Sequence, residues 1–129
     1  LYRVQTEYLW NEKLSDTELA GYVELVYDNN FSGGCAMDSE GNIYLSETET
    51  HNITLWSPHG KSAVLVSDPR LVRPDGSFIS PDRKLWIPVK QPVVFTSDTG
   101  KAERVFNIYS IDLPNNYEGI PLGNAVSGS

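Results

Sequence analysis

Cysteine is nearly missing. Cys35 is the one thiol in 129 residues, so no disulfide closes within the chain and no thiolate metal cluster forms. Sulfur therefore leaves the cellular compartment open. Long apolar runs are missing too: no stretch approaches the ~20 residues of a membrane helix, and no basic amphipathic segment suits a lipid surface. Positive charge is scarce, with 10 Lys and Arg against 17 Asp and Glu and a formal net charge of −7. No cluster of Lys or Arg interleaves with aromatics, so a phosphate backbone would be repelled. Nucleic acid and membrane are thereby excluded as expected partners. What remains is the make-up of a soluble globular chain, 40% hydrophobic and 21% charged, in the size range of one domain.

Within that ordinary composition lies a repeat. Residues 34–45 align with residues 76–87 at a constant offset of 42, Gly34 falling on Gly76 and Tyr44 on Trp86. Each copy reads as an apolar stretch, a turn rich in Asp, Ser, Pro or Gly, and a strand in which an aromatic follows a branched aliphatic, which is a hairpin signal. A period of ~40 to 50 is the spacing of propeller blades. Residues 53–56 and 63–66, split by the polar turn Ser57-Pro58-His59-Gly60-Lys61, add a third and fourth strand to the first copy.

The expected fold is therefore all-β, a β-propeller of which the chain covers roughly two and a half blades. Residues 1–26 supply outer strands of one blade around a short helical connection opened by the capping box Ser15 to Glu18. Residues 32–67 form one full blade, residues 73–113 most of the next, and residues 114–129 a C-terminal extension draped over the surface. A blade buries both sheet faces and a ring takes roughly 4 to 8 of them. Two and a half cannot close, so the remaining blades are expected from further residues or another chain. The opening Leu1-Tyr2-Arg3-Val4, which reads as mid-strand, fits a piece of something longer. A sandwich of eight or nine strands is the alternative, and it leaves the offset unexplained.

The run from Asp38 through Gly41, Tyr44 and His51 to Ile53, followed by Asp68-Pro69-Arg70-Leu71 and Pro74-Asp75-Gly76, resembles the Yellow / major royal jelly protein family. So do Leu1 to Val4 and Leu14 to Leu19. The resemblance extends to about Leu113 and implies a six-bladed propeller, distantly related to the senescence-marker/gluconolactonase group, with this chain matching its C-terminal part. It implies a fold more securely than a reaction. Some relatives are named for dopachrome conversion, others look like binders of small aromatic amines, and the lactonase group uses a divalent cation.

Blade geometry gathers residues 32–34, 47–52, 73–75 and 89–96 around one channel mouth. Asp75 is the first candidate, as a catalytic carboxylate and as ligand of a divalent cation such as Ca, because its Pro-Asp-Gly turn resembles the one that carries a cation ligand in lactonase-like propellers. Asp before Gly is equally a routine turn former. Gly33 stands where related sequences have Asn or Asp, which removes one oxygen ligand. Glu47 is the second catalytic candidate. Glu47 and Glu49 fall on one side of the sheet if their strand persists through Thr48, and such pairs are commonly solvated edge charges. Glu49, His51, Gln91 and Phe95 are the ligand-binding candidates: His51 for acid–base work near neutral pH, or as a plain surface residue at a turn tip, and Gln91 with Phe95 for an apolar wall. Cys35 is expected to pack as a small hydrophobe and Trp56 and Trp86 as blade-packing residues, while Trp10 lies in a connection and could equally cover a sheet edge. Two acceptor sequons, at Asn30 and Asn52, are glycosylation candidates for a secreted protein. A soluble intracellular protein is the other expectation.

Three functions follow from this reading: binding of a small organic ligand in the channel with its isomerisation or cyclisation, divalent-cation-dependent lactone hydrolysis, and a secreted structural or storage role without catalysis.

Overall fold

The computed structural model describes residues 1–90, 94–95, 102–103 and 106–127. The chain opens with β1 (Tyr2–Arg3), α1 (Thr6–Leu9), α2 (Asp16–Ala20) and β2 (Glu24–Leu25), the two strands pairing antiparallel. The capping box forms: the Ser15 hydroxyl accepts from the Glu18 amide, and the Glu18 carboxylate accepts from the Ser15 amide at 2.8 Å. Two otherwise orphaned donors at the start of α2 are thereby satisfied. Tyr8 stacks on Tyr22 at 3.9 Å between ring centres, whereas Trp10 is 82% exposed.

A four-stranded antiparallel meander follows, β3 (Ser32–Met37), β4 (Ile43–Glu47), β5 (Asn52–Trp56) and β6 (Ser62–Ser67), in that spatial order. A second sheet is built from β7 (Phe78–Ile79), β8 (Lys84–Val89) and, beyond the short hairpin β9 (Val94–Phe95) and β10 (Ala102–Glu103), β11 (Asn107–Asp112), ordered β11-β8-β7. A last hairpin joins β12 (Asn116–Tyr117) to β13 (Ile120–Pro121). The protein is all-β, made of several small antiparallel sheets.

The offset of 42 survives in atomic detail. Ala36 pairs with Tyr44 and Met37 with Ile43 in the first hairpin, and Phe78 pairs with Trp86 and Ile79 with Leu85 in the second. Asp38 N donates to Asn42 O and Gly41 N to Asp38 O, and Ser80 N donates to Lys84 O and Arg83 N to Ser80 O. Even the aromatic is tied back alike: the Tyr44 hydroxyl donates to Asp38 Oδ2 and Trp86 Nε1 to Ser80 Oγ, each at 2.9 Å. The turn needs a left-handed residue, which Gly41 supplies at φ 80° and Arg83 at φ 62°. A side chain there costs about 1 kcal/mol or more. Arg83 offsets it by donating to Gly123 O, Asn124 Oδ1, Pro114 O and Leu122 O.

Cross-strand partners share a face, so the registers sort each sheet. In the first sheet Ala36, Tyr44, Leu55 and Ala63 lie on one face, and Cys35, Leu45, Thr54 and Val64 on the other. The Tyr44 face packs on the Ile79, Leu85, Ile87 and Val89 face of the second sheet in one continuous core. Under the repeat, Tyr44 corresponds to Trp86 and Ala36 to Phe78, which point away from that core. The two sheets thus stack in the same sense, head to tail. Their first strands meet closely: a methyl group added at Gly34 would lie 2.5 Å from Gly76 Cα, and one at Gly33 would lie 2.3 Å from Pro74 O.

The final segment departs from expectation. It is not draped over the surface: Ile120 and Leu122 are buried in the core, and Tyr117 donates its hydroxyl to Val64 O. Gly123 N donates to Asp38 Oδ2, and Asp38 bridges to Ala125 through the backbone. A polar, glycine-containing tail is drawn inward because a buried carboxylate at one hairpin corner and a guanidinium at the other satisfy its backbone. Cys35 also differs from expectation, being exposed on the far face of β3 instead of packed as a core residue.

Candidate functional site

Four backbone segments converge at one end of the two sheets. Ser32 pairs with Glu47 at the open end of the first hairpin, and Thr48 N donates to Phe31 O. Pro74 bridges to Val89, Asp75 N donates to Pro88 O and Lys90 N to Arg73 O. Gly33 and Gly34 lie against Pro74, Asp75 and Gly76. The side chains behave less uniformly than the backbone.

Asp75 is exposed, and its Oδ1 accepts from the amide of Gly76 at 2.8 Å. Glu49 is exposed in the turn after β4. Because β4 ends at Glu47, the two acids do not form a pair on one side of the strand. His51 is more than a surface residue: it is half-buried at φ 57°, and its Nδ1 lies 2.8 Å from Leu71 O. That bond joins the turn after β4 to the segment leading to Asp75. Gln91 lies outside the described residues, and Phe95 is described only as part of β9.

Glu47 departs furthest from expectation. In place of a solvated edge charge it is 2% exposed, and its Oε2 accepts from Thr54 Oγ1 at 2.9 Å, Thr50 Oγ1 at 3.1 Å and, more weakly, Asn30 Nδ2 at 3.4 Å. Threonines on β5 and on its entering turn place hydroxyls over the carboxylate, since Thr54 falls on the same face as Glu47 by strand alternation. Its cross-strand partner is Asn52, whose buried Oδ1 meets no donor among the described residues. Tyr27, Asn30, Glu47, Asn52, Thr54 and Val64 line a pocket of about 330 Å3. A larger depression of about 700 Å3 on the N-terminal unit is walled by Arg3, Tyr8 and Glu24. Its two charged walls neutralise each other in a 2.9 Å ion pair.

Both sequon asparagines belong to this region. Asn30 is exposed, while Asn52 sits in β5 with the third residue of its sequon, Thr54, buried.

Sequence reasoning missed a second polar centre, Asp38. It is 1% exposed. Oδ1 accepts from Glu40 N and Asn42 N at 3.0 Å, and Oδ2 from Asn42 Nδ2, Tyr44 Oη and Gly123 N at 2.9 Å. Burial and the Asp38 carboxylate together push the Tyr44 phenol well above its ordinary range. The signal that could have found it is Asp38 and Asn42 four apart across a two-strand turn, an Asx arrangement whose side chain closes the hairpin. With every donor taken from this chain, Asp38 reads as a structural clasp.

No family model matches the chain, and no curated protein sequence matches it.

Proposed function

We propose that these residues form two and a half blades of a six-bladed propeller of the Yellow kind, which binds a small organic molecule at the mouth of its central channel and isomerises or cyclises it by holding it in a reactive shape. The supporting observation is the same-sense stacking of two sheets repeated at 42 residues. A head-to-tail interface between like units leaves an unmatched face at each end unless the units close into a ring. The second sheet's outward face fits this account, since Phe78 is 58% and Ile108 66% exposed beside Trp86 and Pro88. It is the face with which the first sheet buries Tyr44. The mouth in this reading is the end where residues 32–34, 47–48, 73–76 and 88–90 converge.

Sedimentation equilibrium tests the ring. The chain is expected to associate through the open face, and Ile108→Asp is expected to return it to a monomer. A stable, monodisperse monomer of the unaltered chain at every concentration would end this reading. Thermal shifts with small aromatic molecules then separate a ligand-binding ring from a structural one. Cation-dependent lactone hydrolysis would rest on Asp75, whose exposed carboxylate accepts one bond, from the Gly76 amide. A lactone assay with and without chelator checks it.

A further inference from the structure

Asp75 is the one aspartate in the sequence followed by glycine, and no asparagine precedes a glycine. A glycine in that position leaves its amide nitrogen without a neighbouring side chain, so the nitrogen can approach the carboxyl carbon of the residue before it. The fold brings these two groups together. Gly76 N donates to Asp75 Oδ1 at 2.8 Å, which places it beside Cγ, and reacting groups already held in contact need no further search. Gly76 lies ahead of β7, outside the strand ladder, and a methyl group there would meet nothing within 4 Å. Asp75 itself is exposed, so water reaches the pair. Other aspartates are placed otherwise. Asp38 is buried with five donors on its oxygens, Asp16 opens α2, and Asp68 precedes Pro69, whose nitrogen has no hydrogen to lose.

We propose that Asp75 is a modification site, at which the chain isomerises spontaneously to isoaspartate. Gly76 N bonds to Asp75 Cγ; a carboxyl oxygen leaves as water, taking the carboxyl proton and the one the nitrogen gives up, and a succinimide closes. Water then opens the ring at either carbonyl. Opening at the main-chain carbonyl of Asp75 leaves the backbone running through Cβ and Cγ, one methylene longer, with a carboxylate on Cα. One water is lost and one regained, so the mass is unchanged. The lengthening falls where the two sheets approach most closely. A methyl group at Gly34 would lie 2.5 Å from Gly76 Cα, and one at Gly33 would lie 2.3 Å from Pro74 O. On the other side Asp75 N donates to Pro88 O and Pro74 bridges to Val89. A backbone held from both sides takes an added methylene only by shifting, so the isomer parts the first strands of the two sheets. The reaction uses this chain and water alone, and it stands apart from the ring.

The test ages the folded chain in mildly acidic buffer beside a sample unfolded in guanidinium chloride, and maps peptides over time by electron-transfer fragmentation, which separates the two isomers of equal mass. Isoaspartate is expected at Asp75 ahead of every other aspartate of the folded sample, at a rate comparable to that of the unfolded one. A transient species lighter by one water should appear in the same peptide. Asp75→Glu, whose ring would be one atom larger, should lose the product altogether. Gly76→Ala should slow its formation while keeping the fold. Asp75→Asn should react through the same ring with loss of ammonia, which reads directly as a change of mass. In the aged, folded sample a second set of backbone amide resonances should appear at Gly33 and Gly34. Isoaspartate formed only in the unfolded sample, spread evenly over the aspartates, or undiminished by Asp75→Glu would overturn the proposal. So would an isomerised chain in which the Gly33 and Gly34 resonances stay where they were.

Discussion

Replacing Asp38 by alanine should be among the most damaging single changes outside the apolar core. The carboxylate is 1% exposed and accepts from five donors. Two of these have another recourse: Glu40 N lies near the surface, and Asn42 Nδ2 also donates to Pro121 O at 2.8 Å. Three do not, namely Asn42 N, Tyr44 Oη and Gly123 N, all of which sit in buried bonds. A buried donor left unmatched costs about 1 to 3 kcal/mol. Allowing for relaxation, and for the carboxylate no longer needing burial, the loss comes to about 3 to 5 kcal/mol, against a total near 5 to 15 kcal/mol for a domain. The repeat supplies an internal control. Ser80 occupies the equivalent corner and accepts one bond, from Trp86 Nε1, so Ser80→Ala should cost only about 1 kcal/mol. Urea unfolding of the two variants measures the difference, and amide exchange at Gly123 reports whether the tail is released. If Asp38→Ala costs no more than Ser80→Ala, the clasp does not hold the tail and the account of its burial fails.

Other outcomes follow from the same geometry. Gly34→Ala should destabilise by about 1 to 3 kcal/mol, because its methyl would press on Gly76 Cα at 2.5 Å; Gly76→Ala, which meets nothing within 4 Å, should be near neutral in the same unfolding assay, and equal effects would refute the close approach. Alkaline titration followed by ultraviolet absorbance should show a delayed tyrosine step that appears as the chain unfolds, and Tyr44→Phe should remove it. Because the Tyr44 phenol is raised in the folded state, the unfolded chain sheds its proton first, so stability should fall as pH rises above the ordinary phenol value of 10.0. At the acid end, the Arg70 guanidinium and amide, which donate to Asp68, hold that carboxyl down to about 2 from 3.8; its contribution is complete above the upper value and is lost as pH falls toward the lower. Asp68→Asn should flatten the stability profile across that window, and an unchanged slope would refute the coupling. Expressed through a secretory pathway, Asn30→Gln should lose glycan mass and Asn52→Gln should not, since Asn30 is exposed while Asn52 is half-buried within β5 beside a buried Thr54.

How far the molecule could be read from its residues depended on the range of the interactions that decide each position. The hairpins were legible because a strand pair with its turn is a local object: Tyr44 and Trp86 fall on the same cross-strand partner positions, and a constant offset exposes the kinship. The tail was not legible, because Ile120 and Leu122 carry no periodicity of their own. Their burial is set by Asp38 and Arg83, 85 and 40 residues away from Gly123. Arg83 was not legible for the same reason, since the four acceptors that hold its guanidinium lie 31 to 41 residues away. The most informative position is one where two readings of the same residue disagree. Residue type makes Glu47 a surface charge, and its repeat equivalent Val89 makes it an interior residue; the repeat position wins, and the carboxylate is buried with its chemistry only partly answered. Sequences that specify a fold agree with themselves at each level and depart from that agreement where another demand is met.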